Sequence, residues 1–261
     1  MHILFITATR VGDAVLSTGL LEHLVKENPK SLVTIACGSS AAGLFEALPN
    51  LDSIIILKKR NLSLHWLELW AKCSLRIWDL IIDLRNAPIS YLIPCRKCIH
   101  LGRNHMNNHR VHRIAVAAGL PEPSKHLKIW ISNIHIKKAR QILIGTGPLL
   151  ALGPVANWAP KTWAPEKFVE LYSLIAGDNG ILPNARVIIF GTQTERSNAQ
   201  YLLDSLPSER TIDAMGKLSL LEIQACLQVA DMYIGNDSGL MHMAAAARIP
   251  TLGLFGPSRE E

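Results

Sequence analysis

The chain has 261 residues, which is enough for two domains of ordinary size. Hydrophobic residues make up 49% of it and charged residues 18%, a composition that excludes an intrinsically disordered or fibrous protein. The 27 Lys and Arg against 21 Asp and Glu give a net charge of +6, which favours an anionic partner. Phosphorylated ligands, nucleic acid and an acidic membrane surface all remain open.

Compartment and membrane topology can be predicted from apolar runs and cysteines. No apolar stretch reaches the roughly 20 residues of a bilayer span. The short apolar run at the start is followed at once by Arg10 and Asp13, which does not resemble a secretion signal. The five cysteines are odd in number and scattered, unlike a disulfide framework. We therefore expect a cytoplasmic protein.

The first half alternates β-branched apolar runs with helical patterns. Leu16, Leu20 and Leu24 are spaced four apart on one helical face that Pro29 ends. Strands alternating with helices predict a parallel sheet covered on both faces. The predicted strands are 2–8, 32–36, 53–57 and 79–84, and the predicted helices are 14–28, 40–48 and 64–75.

The second half repeats this pattern after a Pro- and Gly-punctuated connector at 121–147 that contains a short basic helix. We predict two doubly wound α/β domains, residues 1–145 and 146–261, with a ligand cleft at the carboxyl ends of their strands. The predicted strands are 149–153, 186–191, 210–214, 232–235 and 251–255, and the predicted helices are 165–176, 195–205, 219–229 and 239–247.

The most informative motif spans residues 234–257 and predicts a strand, a turn and the start of a helix. Asp237 and Ser238 are good N-cap residues, and Gly239 lets the backbone approach a ligand closely. The free N–H groups of a first helical turn suit a phosphate, and His242 lies one turn further on the same face. The alternative is ordinary capping with a structural histidine.

The chain resembles the ADP-heptose:lipopolysaccharide heptosyltransferases, which are glycosyltransferase family 9 with the GT-B fold. The resemblance rests on residues 234–257, 10–16, 160–168, 191–195 and 216–220, in the family's order. It implies two Rossmann-like domains, the first binding the acceptor and the second the nucleotide sugar. The family pattern continues beyond residue 257, so the resemblance also predicts a second domain that is shortened at its C-terminal end.

The resemblance implies two catalytic residues. Asp13, which we expect in the loop after the first strand, matches the family's proposed general base, and a carboxylate there can accept a hydroxyl proton. Lys161 matches the lysine that contacts the donor phosphates, where an ammonium offsets the charge of the leaving diphosphate. The alternatives are a helix N-cap for Asp13 and a solvated surface lysine for Lys161.

Six residues are implied in donor binding. Asp237 is expected to face the sugar or its phosphates, Ser238 and Gly239 to offer N–H groups, and His242 to support the diphosphate. Leu218 is expected against the adenine and Glu195 on the ribose, with plain core and surface roles as the alternatives.

The segment 94–113 carries several basic residues and histidines and no acidic residue. Together with the basic run at 58–60 it predicts a face for a phosphorylated acceptor, and a solvated loop is the alternative. Cys95 and Cys98 form a single Cys-x-x-Cys pair without a second pair, so we predict no metal site. The predicted acceptor-binding residues are Lys58, Lys59, Arg60, Arg96, Lys97 and Arg103.

These expectations combine into a bacterial inverting glycosyltransferase that moves a heptose or related sugar from an ADP-sugar to a lipopolysaccharide-core-type acceptor. No cofactor or metal is required by the residues named. Its partners are the nucleotide sugar and a phosphorylated glycolipid, with peripheral contact at the cytoplasmic face of the inner membrane. A non-catalytic nucleotide-sugar or anionic-surface binding protein derived from such an enzyme is the alternative. Nucleic acid is not expected, since no nucleic-acid-binding motif is recognisable.

Overall fold

The computed structural model describes residues 1–58, 64–102, 109–121 and 126–256. The chain divides into two compact units, Met1–Trp130 and a second unit that begins at Ile131. Each unit contains one five-stranded sheet, and every strand pair in both sheets is parallel. The α/β fold class predicted from the alternation of strands and helices is therefore confirmed.

The sheet of the first unit has the strand order β3-β2-β1-β4-β5. Its central strand β1 is apolar, and its residues 3–6 are fully buried because helices cover both faces of the sheet. The strands are β1 His2–Ile6, β2 Leu32–Cys37, β3 Leu51–Ile56, β4 Leu80–Asp83 and β5 Cys98–His100. The helices are α1 Val11–Glu27, α2 Ser39–Ala42, α3 Leu64–Cys73 and α4 Arg110–Ala117.

The sheet of the second unit has the order β10-β9-β6-β7-β8. One helix of this unit places Phe168 and Tyr172 against Leu150, Val187 and Ile189, which form the core over that face. The strands are β6 Leu149–Gly153, β7 Arg186–Ile189, β8 Thr211–Asp213, β9 Met232–Asn236 and β10 Thr251–Leu254. The helices are α5 Asn133–Ile142, α6 Pro165–Ala176, α7 Gln200–Ser205, α8 Leu220–Leu227 and α9 Gly239–Ala247.

Three features differ from the sequence predictions. The helix predicted at 40–48 is wrong, because α2 is a single turn that gives way to turns at Gly43. The segment 94–113, predicted as a basic face with a solvated loop as the alternative, contains β5 and the start of α4, neither of which was predicted. The connector helix α5 packs against α8, so the division between the units falls at Trp130, before the sequence-based boundary at residue 145.

Among the helices of the described ranges, none is long and apolar enough to cross a membrane. The cysteines are free thiols, and three of them lie in the interior of the units. Burial raises the pKa of Cys37 and of Cys226 to about 12 and that of Cys73 to about 11. These three thiols are therefore core residues that stay protonated at neutral pH.

Candidate functional site

The loop that follows β6 is held against the carboxyl end of β9 by one buried amide. The Asn236 side chain donates from Nδ2 to the Pro154 carbonyl at 2.7 Å, and its Oδ1 accepts from the Trp163 backbone N–H at 3.0 Å. A Cβ on Gly256 would lie only 2.5 Å from the Pro160 carbonyl oxygen, so this glycine lets the strand β10 loop approach as well. The loop that carries Lys161 is thereby packed against the ends of β9 and β10.

Lys161 and Asp237 form the central contact of this edge. The Lys161 ammonium donates to Asp237 Oδ2, and the two side chains are only 23% and 16% exposed. The backbone N–H of Asp237 donates to the Leu254 carbonyl at 3.0 Å, which fixes the carboxylate just before α9. The structure thus joins two residues that the sequence analysis assigned to the donor.

The helix α9 begins directly after this pair. Ser238 occupies the N-cap position with extended backbone, but its hydroxyl does not cap the helix. Gly239 is the first helical residue, no acidic residue lies in the first turn, and the half-buried His242 follows one turn later. Backbone N–H groups and the helix dipole at such an end attract anions. A half-buried cation and a helix N-terminus therefore lie next to each other.

Glu195 and Leu218 lie on loops that follow β7 and β8, at the same carboxyl edge. Glu195 accepts from the Thr192 backbone N–H at 2.9 Å and from the Thr192 hydroxyl at 2.7 Å, in a capping box. Leu218 is half-buried and directly follows the turn at 215–217, where the φ of 70° at Gly216 favours glycine. The ribose and adenine roles of these residues remain predictions.

Asp213 ties these two loops together. Burial alone would raise the pKa of Asp213, but hydrogen bonds from the Lys217 ammonium, the Arg196 guanidinium and the Met215 backbone lower it below its ordinary value. The Lys217 Nζ lies 2.8 Å from Asp213 Oδ2. The carboxylate therefore stays ionised and holds both loops in place.

In the first unit, Asp13 lies in the first turn of α1. The helix begins at Val11 with Arg10 in the N-cap position, so the predictions that Asp13 stands in the preceding loop, or caps the helix, are both wrong. The strand-to-helix loop is anchored by the Ser40 hydroxyl, which donates to the Thr9 carbonyl at 2.6 Å. The anchored loop sets the position of Asp13 at the carboxyl edge of the first sheet.

Arg110 is the charged neighbour of Asp13. Its Nε lies 3.6 Å from Asp13 Oδ1, and the two side chains are 28% and 40% exposed. Arg113 follows one turn later on α4, and the Nε atoms of both arginines are buried with no hydrogen-bond partner among the described residues. Both arginines belong to the basic segment 94–113 of the sequence analysis but were not among its predicted acceptor-binding residues, and neither β5 nor α4 was predicted.

The predicted acceptor residues do not all lie together. Lys58 is exposed and follows β3, at the carboxyl edge of the sheet. Arg96 instead pairs with Asp79, Nε to Oδ1 at 3.4 Å, and both Asp79 and Lys97 directly precede strands. Arg96 and Lys97 are therefore at the amino edge, the opposite edge to Asp13 and Lys58, and the expectation that they form one face with Lys58 is corrected. Lys59, Arg60 and Arg103 lie outside the described residues.

A buried carboxylate organises the carboxyl end of β4. Asp83 accepts from the backbone N–H groups of Arg85 and Ala87 at 2.8 and 2.6 Å, and from the Ser90 hydroxyl at 2.8 Å. The Ser90 Oγ also lies 2.9 Å from Nε2 of His100, at the end of β5. This hydrogen-bond network joins the ends of the neighbouring strands β4 and β5, which is a structural role.

Cys95 and Cys98 form the Cys-x-x-Cys pair of the first unit. Within residues 1–58, 64–102, 109–121 and 126–256, no three His, Cys, Asp or Glu side chains are grouped so that they could hold a metal ion. The zinc hypothesis for this Cys-x-x-Cys pair therefore gains no support from the described part of the chain.

Comparisons with known proteins agree with this architecture. Over 94% of its length, the chain is 22% identical to the lipopolysaccharide core heptosyltransferase OpsX of Haemophilus influenzae and covers 76% of that protein. The crystal structure of a family 9 glycosyl transferase from Veillonella parvula matches with a TM-score of 0.78 and 23% identity, over 99% of this chain and 82% of that one.

A third match is the Escherichia coli heptosyltransferase WaaC with ADP-2-deoxy-2-fluoro heptose. Its TM-score is 0.72 at 17% identity, over 100% of this chain and 90% of that one. At these identities the solved structures show a shared, GT-B-like fold. The model of glycosyltransferase family 9 (heptosyltransferase) matches residues 91–261, which is more than half of the chain. The chain therefore belongs to glycosyltransferase family 9, the heptosyltransferase family.

Proposed function

We propose that this protein is an inverting glycosyltransferase that moves a heptose from an ADP-sugar to a lipopolysaccharide-core-type acceptor. The observation that carries the proposal is the pairing of Lys161 with Asp237 at the N-terminus of α9. A half-buried ammonium beside the backbone N–H groups of a helix N-terminus is suited to a diphosphate, which is the leaving group of such a reaction.

The donor binds to the second unit. The diphosphate lies against the first turn of α9, with Gly239 allowing close approach and His242 one turn further along. Lys161 shifts its hydrogen bond from Asp237 to the phosphate oxygens, and Asp237 then faces the sugar hydroxyls. Leu218 and Glu195 are proposed to contact the adenine and the ribose, since both lie on loops at this carboxyl edge.

The acceptor binds to the first unit, where Asp13 is the general base. Asp13 is exposed enough to receive a hydroxyl group, and the Arg110 guanidinium lies beside it. Arg110 and Arg113 carry buried Nε atoms without hydrogen-bond partners, and we assign them to an anionic group of the acceptor. Lys58 contributes charge from the same edge.

The reaction balances in a single displacement. Asp13 takes the proton of the acceptor hydroxyl while the oxygen of that hydroxyl forms a bond to the anomeric carbon. The bond between that carbon and the diphosphate oxygen breaks, and ADP leaves with the electron pair. Inversion follows because attack and departure occur on opposite faces of the sugar.

The identity of the sugar and the nucleotide is supported by the relatives. The related WaaC structure holds ADP-2-deoxy-2-fluoro heptose, and the related OpsX is named for the lipopolysaccharide core. Since Lys161 and the α9 N–H groups supply positive charge to the leaving group, we propose that a metal is not needed. Turnover that survives excess EDTA would support this point, and turnover abolished by EDTA and restored by Mg²⁺ would overturn it.

A membrane-bound acceptor requires approach to the membrane surface, and α3 offers a suitable face. Leu64, Leu67 and Trp70 are exposed on this helix, and the Trp70 indole N–H donates to the carbonyl of Leu92, itself exposed. We propose that this apolar face enters the interface of an anionic membrane, with Lys58 nearby in the sequence.

Vesicle cosedimentation tests this membrane proposal. The protein should bind vesicles rich in phosphatidylglycerol, and Leu67→Glu should reduce that binding severalfold. Leu174→Glu is the matched control, since it changes an exposed leucine of α6 in the second unit. Equal binding of Leu67→Glu and the wild type would overturn the assignment of this face.

The proposed activity is tested by incubating the purified chain with ADP-heptose and a lipopolysaccharide that lacks its outer heptose. Release of ADP together with an acceptor heavier by one heptose is the expected result. Nucleotide binding without any product under these conditions would contradict transfer and favour a non-catalytic nucleotide-sugar binding protein.

A further inference from the structure

A fully buried tyrosine lies in the second sheet, in the strand that leads to the proposed diphosphate site. Tyr233 is the second residue of β9, is completely inaccessible to solvent and is the largest fully buried side chain of the described residues. A buried phenol normally finds a hydrogen-bond partner. Tyr172 of the same unit does so, since its hydroxyl donates to the Ala185 carbonyl at 2.8 Å.

Two paired glycines give the Tyr233 ring its place. Gly153 of β6 and Gly235 of β9 are partners in the sheet register. Gly153 is the last residue of its strand and Gly235 the last but one, so both lie at the carboxyl edge. A Cβ on Gly153 would lie 2.0 Å from the Tyr233 hydroxyl oxygen, and one on Gly235 would lie 2.4 Å from it. The phenol therefore extends along the strand over both glycines, towards the start of α9.

The hydroxyl that the ring reaches is that of Ser238. The Ser238 Oγ and the Tyr233 hydroxyl are both buried, and among the described residues neither has a hydrogen-bond partner of good geometry. Burial raises the pKa of Tyr233 far above its usual range, and the neighbouring Ser238 hydroxyl offsets part of that rise. The phenol therefore remains a protonated donor across the physiological pH range.

The Ser238 hydroxyl does not act as an ordinary helix cap. Ser238 is at the N-cap position, where serine usually accepts a hydrogen bond from its own helix, yet it does not. A buried hydroxyl left incompletely bonded costs about 1–3 kcal/mol. When the phenol donates to Ser238 Oγ, the hydrogen of the serine hydroxyl is free to donate to an acceptor at the N-terminus of the nine-residue α9.

We infer that Tyr233 is a positioning residue, which orients the Ser238 hydroxyl towards a phosphate oxygen of the nucleotide donor. The inference rests on the proposed donor site at the start of α9. It adds to that site a second layer, in which the glycine pair Gly153 and Gly235 makes room for the phenol and the phenol sets the direction of the serine hydrogen bond.

The test is calorimetric titration of the full chain with ADP and with adenosine, which lacks the phosphates. Tyr233→Phe removes only the hydroxyl and should weaken ADP binding about 3- to 10-fold, the range expected for one hydrogen bond. Its affinity for adenosine and its Tm should not fall. Because the two hydroxyls act as a unit, Tyr233→Phe combined with Ser238→Ala should weaken ADP binding no more than Ser238→Ala alone.

Tyr172→Phe is the matched control. It removes a buried phenol hydroxyl that bonds a backbone carbonyl at the amino edge of the same sheet, so it should lower the Tm and leave ADP affinity unchanged. If the wild type binds ADP and Tyr233→Phe binds it with the same affinity, this inference is overturned but the proposed donor site is not. Absence of ADP binding by the wild type would overturn the proposed donor site and, with it, this inference.

Discussion

The carboxyl edges of the two sheets present different kinds of site. In the first unit, Asp13 is 40% exposed and its neighbour Arg110 lies at 3.6 Å, beyond a normal hydrogen bond. In the second unit, Lys161 and Asp237 are in direct hydrogen-bond contact and are 23% and 16% exposed. The loop that carries Lys161 is fixed by the buried Asn236, and the loops after β7 and β8 are joined by Asp213.

The difference matches two chemical tasks. A general base has to be ionised, accessible and free to receive a proton from a bound hydroxyl. A site for a leaving diphosphate works best when its positive charge and N–H groups are already in place before the ligand arrives. We therefore assign proton transfer to the open edge and leaving-group stabilisation to the preformed one.

The largest expected effect concerns Asp13. Asp13→Asn keeps the size of the side chain but removes the proton acceptor, so the kcat of transfer should fall about 10²- to 10⁴-fold. ADP binding should not change, because the donor site lies in the other unit. Asp79→Asn is the control, since Asp79 also pairs with an arginine but at the amino edge. Transfer by Asp13→Asn at the wild-type rate would remove the distinction between the two edges.

The next effect concerns the acceptor. Arg110→Ala should raise the KM for a phosphorylated acceptor about 10-fold, since a charged hydrogen bond contributes about 1.5–3 kcal/mol. The Kd for ADP should stay the same. Arg96→Ala is the control, because Arg96 lies at the opposite edge with Asp79. An Arg96→Ala variant with the larger KM would place the acceptor at Arg96, on the amino edge, instead.

A smaller effect concerns the stability of the second unit. Asp213→Asn removes the charge that holds Lys217 and Arg196, and we expect it to lower the free energy of unfolding by about 1–3 kcal/mol at pH 7. The pKa of Asp213 is lowered in the folded protein. Its contribution is therefore fully present above the unfolded carboxyl value of about 3.9 and is lost as the pH falls through the folded value.

Thermal unfolding at pH 7 and pH 3 measures this contribution. The gap in Tm between the wild type and Asp213→Asn should be clear at pH 7 and should narrow at pH 3. Asp204→Asn, which changes an exposed carboxylate of the same unit, should leave the Tm unchanged at both pH values. A gap of the same size at both pH values would contradict the role of the ionised carboxylate.

Much of the fold was predictable from periodicity. The helices α6 and α9 and the strand β6 have the predicted bounds, because each has a full apolar pattern and clear ends. The strand β5 was not predicted, since Cys98–His100 is only three residues long and lacks a β-branched run. It is a strand because it pairs with the buried β4, which no local pattern reveals.

The sites were predictable only in part. Lys161 and Asp237 were both named from the family resemblance, but their contact spans 76 residues and depends on β6 lying beside β9. Arg110 was not selected because its position opposite Asp13 depends on the packing of α4 against α1. Tyr233 has the sequence pattern of an ordinary core residue, and only the two glycines beneath its ring distinguish it.

The most direct test of the preformed donor site is calorimetric titration of the chain with ADP and UDP, compared with Lys161→Ala. Lys167→Ala is the control, since Lys167 is an exposed lysine on α6 that pairs with Glu170. We predict that the wild type binds ADP in preference to UDP, that Lys161→Ala weakens ADP binding at least about 10-fold, and that Lys167→Ala does not. No ADP binding by the wild type, or undiminished binding by Lys161→Ala, would contradict the assignment of the donor to this edge.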